Sequence, residues 1–156
     1  MKNSGKRFEA NFQKSVPKHI HCYRFKDSTS SWDSSKTAFS IYNACDYEIF
    51  VNGSLYWLEL KSHKGKSLPL GCIRPTQVKE LFKASENGVT AGLLVEFSDL
   101  NRVFWLGIND YMEFITEQDR KSIPLSYFEA AGLELEVTKM AVNIKLNIEK
   151  FLEEME

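Results

Sequence analysis

An α/β fold, with a mixed central β-sheet flanked by helices, follows from three observations. Segments of period-two alternation are interleaved with segments of helical spacing, in the order α-β-β-β-α-β-β-α. Asn52-Gly53 splits one aromatic and apolar run into two strands, the pair that most favours a two-residue type I′ turn. Eleven Phe, six Tyr and three Trp in 156 residues provide a real core for a single domain over 1–156.

The first helix is predicted from an Asn3 or Ser4 cap to about Ser15, with Pro17 ending it and Phe8 and Phe12 on its buried stripe. Glu9 stands beside that stripe, at its boundary or turned toward a site; the sequence leaves both open. His19 to Lys26 alternates as a strand. A Ser-rich loop or stalk-like projection around Trp32 fills about 27–43, a length that often carries function. The Asn52-Gly53 hairpin runs from Ala44 to Lys61, and a basic loop covers Ser62 to Leu70. Pro75 opens a helix to about Ser85, with Val78, Leu81 and Phe82 at helical spacing, Gln77 partly inward, and Lys79 and Lys83 outward. Strands follow at Ala91–Phe97 and Arg102–Leu106, turning at Asp99-Leu100-Asn101. A short helix near Asn109–Thr116, a segment Ser122–Ala131, a strand Leu133–Val137 and an amphipathic helix near Ile144–Glu154 complete the chain.

The hairpin carries the chemistry. With Val51 facing Ser54, the register carried outward places Asp46 directly opposite Glu59. Opposed side chains have Cβ atoms roughly 4.5–5.5 Å apart, and like charges so placed repel. Alternation puts Glu48, Phe50, Leu55, Trp57 and Lys61 on the same face, with Cys45, Tyr47, Ile49, Val51, Tyr56, Leu58 and Leu60 on a core face. Glu-x-Lys on a strand is commonly a pair of solvated charges contributing little. An opposed Asp46 and an apolar far face set this one apart. A divalent cation resolves the repulsion, since Mg²⁺ takes one or two carboxylates plus waters and phosphate oxygens.

Net charge is −1, yet its distribution is uneven. Residues 1–40 hold eight Lys/Arg against three acids, residues 61–83 hold six against Glu80, and residues 96–156 hold six against thirteen acids. Basic charge thus flanks the hairpin, as a phosphate-backbone footprint requires. No apolar run approaches the roughly 20 residues that span a bilayer, and the polar start is unlike a signal peptide. Cys22, Cys45 and Cys72 lack C-x-x-C spacing, which fits a reducing compartment. A cytoplasmic protein without a membrane partner is expected. His19, His21, Cys22, His63 and Cys72 lack the paired short spacings of zinc ligands. Cys45 reads as an inert core thiol rather than a nucleophile, and no Gly-rich phosphate loop is present.

Asp46, then Glu59-Leu60-Lys61 on a hairpin, resembles the PD-(D/E)xK nuclease superfamily. Asp46-Tyr47, Glu59-Leu60-Lys61, Lys64-Gly65-Lys66-Ser67-Leu68-Pro69-Leu70 and Gln77 resemble the RecU-type Holliday junction resolvases. Gly92 to Val95, Val103 to Leu106 and Arg120 to Pro124 look like that family too. Thr76, Leu68 and Cys45 depart from its usual His, Phe and hydroxyl residue, and the N-terminus is shorter than in chromosomal members, which implies a phage-borne or divergent relative.

The resemblance implies a restriction-endonuclease-like core and a homodimeric, Mg²⁺-dependent endodeoxyribonuclease, with Mn²⁺ as a substitute. Such an enzyme resolves four-way DNA junctions by symmetric paired nicks in recombination and repair. Asp46, Glu59 and the Leu60 carbonyl would hold the metal, Lys61 would serve the attacking water, and Glu9 and Gln77 would support them. Lys64, Lys66, Arg74, Lys79, Lys83 and Arg7 would track phosphates. Two other readings remain compatible with these residues. One is a restriction or repair nuclease without junction preference, the other a non-catalytic branched-DNA binding module. Nothing in the sequence points to a recombinase or other protein partner.

Overall fold

The computed structural model describes residues 3–26 and 43–156. Apart from Asn43, the Ser-rich projection expected at about 27–43 lies outside the described residues. Helix α1 (Ser4–Ser15) is capped by the Asn3 side chain, which accepts from the Gly5 amide at 3.1 Å. Strands β1 (His21–Arg24), β2 (Tyr47–Val51) and β3 (Ser54–His63) follow. A short strand β4 (Ser67–Pro69) and a 3₁₀ turn at Leu70–Cys72 lead to α2 (Pro75–Glu86). Then come β5 (Thr90–Phe97), β6 (Arg102–Gly107), α3 (Ile108–Glu117), β7 (Ser122–Pro124), α4 (Leu125–Ala131), β8 (Leu133–Leu135), β9 (Val137–Lys139), β10 (Ile144–Leu146) and α5 (Ile148–Met155).

The main sheet has six strands in the order β1-β2-β3-β5-β6-β8. Only β3 and β5 are parallel among the described strands. Parallel neighbours need a crossover, and β4 with α2 supplies it. Two small antiparallel pairs, β4 with β7 and β9 with β10, sit apart from the main sheet.

Both faces of the sheet are covered. Phe8 and Phe12 of α1 join Tyr47, Ile49, Leu58, Leu60 and Leu94, with Phe151 and Leu152 of α5, in one cluster. Each fully buried side chain of this kind contributes about 1.5–3 kcal/mol, so two phenylalanines are enough to fix α1 across the sheet. On the opposite face Leu81 of α2, Ile108, Tyr111 and Phe114 of α3 and Phe128 of α4 pack against Leu93, Val95, Phe97 and Phe104.

The Asn52-Gly53 hairpin forms as expected, with φ of 50° and 79°, the two left-handed conformations a type I′ turn requires. Its register runs from Val51 and Ser54 to Tyr47 and Leu58. There it changes. The Asp46 amide donates to the Leu58 carbonyl at 3.1 Å, one residue out of register, while the Asp46 carbonyl accepts from the Phe25 amide at 2.9 Å. This is the pattern of a β-bulge. The expected direct opposition of Asp46 and Glu59 is therefore corrected to a staggered placement. The extra residue also reverses the alternation beyond Tyr47. Cys45, expected on the core face with Tyr47 and Ile49, is buried in the opposite cluster instead.

Three boundaries differ as well. The strand expected over Leu133–Val137 is divided between β8 and β9, the Ser122–Ala131 segment divides into β7 and α4, and the C-terminal helix starts at Ile148. Ile144–Leu146, expected as the start of that helix, is a strand whose Ile144 and Leu146 point into the core. Asn147 makes the break by capping α5, its side chain accepting from the Lys150 amide at 3.1 Å.

Candidate active site

Glu59 is the centre of the arrangement. In the parallel ladder it pairs with Leu93, and Lys61 pairs with Val95, so both side chains rise on the face that α2 covers. Glu59 is 2% exposed. Its Oε1 accepts from Lys61 Nζ at 2.9 Å and from Gln77 Nε2 at 3.0 Å. Its Oε2 is buried and has no hydrogen-bond partner. A carboxylate oxygen left dry costs the full desolvation penalty, about 1–3 kcal/mol or more for a charged group. Burial pushes the Glu59 carboxyl up, and Lys61, Gln77 and the Arg74 charge pull it back.

Asp46 sits at the bulge beside it. Its Oδ2 accepts from the Leu60 amide at 2.8 Å. Burial, then the charge of Glu59, push its carboxyl up to about 7, with a smaller push from Glu9; the Leu60 N–H and Lys61 act against them. Two acids thus share one poorly solvated place, and each proton held there marks charge that a cation would neutralise.

Local sequence explains how the parts are held. Arg74 and Pro75 start α2, Pro at the first turn being pre-set for a helix. One turn before the buried Leu81, Gln77 is carried inward and is itself buried. Its amide shares Glu59 Oε1 with the Lys61 ammonium. Lys61 is one-quarter exposed, so its ammonium reaches both Glu59 and solvent.

The remaining predicted residues fall into three places. Glu9, from α1, pairs with Arg24 of β1 at 3.0 Å and is felt by Asp46. Arg24 carries no signal in the sequence beyond being a cation in an aromatic strand; only the pairing of β1 with β2, which sets Arg24 opposite Tyr47, brings it here. Lys64 and Lys66 are exposed in the turn after β3. That turn is tied down by the Gly65 amide, which donates to Asp99 at 2.9 Å, and by the Lys66 carbonyl, which accepts from the Leu125 amide at 2.8 Å. Arg74, Lys79 and Lys83 are exposed along α2. Arg7 is also exposed but belongs to α1, on the opposite side of the sheet from Glu59, where its charge acts on Glu96. Burial and the neighbouring acids hold the Cys45 thiol neutral.

The residues present fit a hard divalent ion. The set comprises two carboxylates, one with an orphaned buried oxygen, and carboxylate oxygens are donors that Mg²⁺ or Mn²⁺ takes. Among the described residues no three His, Cys, Asp or Glu side chains gather closely enough to hold a metal alone. Glu9 therefore stands outside the pair, and a zinc cage from the histidines and cysteines is not assembled.

Sheet order and helix placement define an α/β core, a six-stranded mixed sheet covered on both faces. The structure is similar to Hjc of Archaeoglobus fulgidus, a Holliday junction resolvase from an archaeal hyperthermophile, with a TM-score of 0.55 and 18% identity, covering 83% of this chain and 95% of that one. The fold is thus restriction-endonuclease-like. The family model described as Recombination protein U matches residues 5–153, and the chain belongs to that family. It is 32% identical to the SPbeta prophage-derived uncharacterized protein YotM of Bacillus subtilis strain 168, over 98% of this chain and 87% of that protein. The Holliday junction resolvase RecU of Ureaplasma parvum is 26% identical over 70% of this chain, and that of Pediococcus pentosaceus 29% identical over 63%. Those two matches span 63% and 51% of the resolvases' own length.

Proposed function

We propose that this chain is a divalent-metal-dependent endonuclease that resolves four-way DNA junctions as a homodimer, by symmetric paired nicks. The observation that carries the reading is the buried, partnerless Oε2 of Glu59 beside an Asp46 carboxyl raised to about 7. Family membership supplies the substrate class. A two-fold dimer suits a two-fold junction, because each subunit meets one of two equivalent strands.

Asp46, Glu59 and the Leu60 carbonyl would hold Mg²⁺, with Mn²⁺ able to substitute. Bound there, the ion would supply Lewis-acid chemistry toward the scissile phosphate and an acidified water. Lys61 donates from the same side as Glu59, so its ammonium orients the attacking water and offsets charge gathering on the phosphorus oxygens in the transition state. Gln77 keeps Glu59 aimed, leaving Oε2 free for the ion. The Arg24 pair keeps Glu9 beside Asp46. Lys64, Lys66, Arg74, Lys79 and Lys83 supply phosphate contacts around the site, so binding weakens steeply with salt.

The test is cleavage of a synthetic four-way junction and of a linear duplex of the same sequence, with Mg²⁺, Mn²⁺ or chelator. Cutting of the junction with either metal and none with chelator is expected. Asp46→Asn and Lys61→Ala abolish cutting and leave junction binding intact. Variants that cut like the parent would remove the site assignment, and equal cutting of linear duplex would remove the junction reading.

A further inference from the structure

The β9–β10 hairpin has a tip that the described fold does not use. Met140 is 55% exposed and Val142 80% exposed, the two most exposed large apolar side chains among the described residues. The Met140 amide donates to the Asn143 carbonyl at 2.8 Å, closing the turn. Below it the hairpin is rigidly seated. Ile144 and Leu146 are buried, and the Leu146 amide donates to Ser15 Oγ at 2.9 Å, fixing β10 to α1.

Cations lie beside the tip. Lys139 and Lys145 flank it in sequence, and no acid lies between Val137 and Leu146. Val142 and Asn143 form one wall of a concavity of about 420 Å³, and Asn3, Lys6 and Arg7 of the α1 start form the other. Arg7 in turn acts on Glu96, which accepts from Ser62 Oγ at 2.6 Å. Ser62 follows Lys61 directly on β3. One strand therefore presents Glu59 and Lys61 on one face and Ser62 on the other, about 3.3 Å further along. The hairpin tip lines a second concavity with Arg7, Glu96 and Asn101, on the face of the sheet opposite Glu59 and Lys61.

We infer that Met140 and Val142 form a wedge that enters an opened base step of branched DNA, with Lys6, Arg7 and Lys139 on the adjoining phosphates. Apolar side chains entering a base step, backed by cations on the backbone, are how proteins unstack and kink a duplex. A polyanion fits the charge, and its bases fit the apolar tip. The inference rests on the proposed DNA-junction reading and extends it to a surface distant in sequence from the acids.

The experiment uses the full chain, chelator to prevent cutting, and a four-way junction carrying 2-aminopurine at the branch point. A linear duplex carries the same label. The parent raises 2-aminopurine fluorescence on the junction. The Met140→Ser/Val142→Ser double variant loses that rise and binds the junction about tenfold more weakly, with circular dichroism and melting unchanged because the tip is exposed. Lys6→Ala/Arg7→Ala keeps the rise at saturation and lowers the salt slope of binding by about one for each phosphate no longer neutralised.

A double variant that unstacks like the parent overturns the wedge and leaves the nuclease reading standing. A tip variant altered only in self-association, or only in binding to vesicles containing phosphatidylserine, overturns it equally. A parent that binds no DNA overturns both readings at once.

Discussion

Glu59 and Glu96 lie on neighbouring strands of one sheet, and each is 2% exposed. Burial raises the carboxyl of both. Their surroundings differ in one respect. Glu96, on the α1 face, has the Ser62 hydroxyl at 2.6 Å and the charge of Arg7, and no orphaned buried oxygen. Glu59, on the α2 face, has two donors on one oxygen and nothing on the other. A buried acid serving the fold closes its hydrogen bonds within the protein. One kept for a ligand leaves an acceptor open and accepts the instability. On the function proposed above, the difference between the two faces of this sheet is that between a structural acid and a metal ligand.

The comparison is broken most severely by exchanging charge for shape. Glu59→Gln lowers the cleavage rate by about a thousandfold or more, whereas Glu96→Gln leaves it within a few fold of the parent. Single-turnover cutting of a junction at saturating enzyme reads both. Equal losses at the two positions would mean that burial, not the open oxygen, marks the important acid.

Gln77→Ala is the next largest effect. Removing a group that orients a metal ligand commonly costs 10–100-fold, and a higher Mg²⁺ requirement should accompany the loss. Titration of the rate against Mg²⁺ checks it. An unchanged Mg²⁺ midpoint would make Gln77 a packing residue.

The smallest effect is on stability. Asp46 titrates at 3.8 when unperturbed and about 7 in the folded chain. Between those values the folded state holds a proton that the unfolded chain has lost, so chelated protein loses stability as pH rises from about 4 to about 7. Mg²⁺ should raise the melting temperature at pH 8 and do little at pH 5, where it competes with the proton. Melting in chelator that is flat across this window, with Asp46→Asn behaving identically, would remove the strained pair.

Much of this was legible before the structure. Asn52-Gly53 fixed the hairpin because both residues tolerate positive φ, and from it came Glu59, Lys61 and their shared face. Gln77 followed from helical spacing against Leu81. The bulge at Asp46 was not legible, since Cys45-Asp46-Tyr47-Glu48-Ile49 alternates unbroken through it. Its consequences, the staggered acids and the Cys45 reversal, went unread with it. Ile144 and Leu146 alternate as a strand, while Ile144, Ile148, Phe151 and Leu152 fall at helical spacing, and only the Asn147 cap separates the two patterns. Glu96 carries no mark of its role in the sequence, because its partner Ser62 is adjacent through the sheet, 34 positions away. Arg24 was hidden for the same reason.

The most direct measurement is the anomalous map of crystals grown with Mn²⁺. One peak per chain is predicted between the Asp46 carboxylate and Glu59 Oε2, absent from Glu59→Gln crystals prepared identically. A peak elsewhere, no peak, or an Oε2 bonded instead to protein would contradict the account.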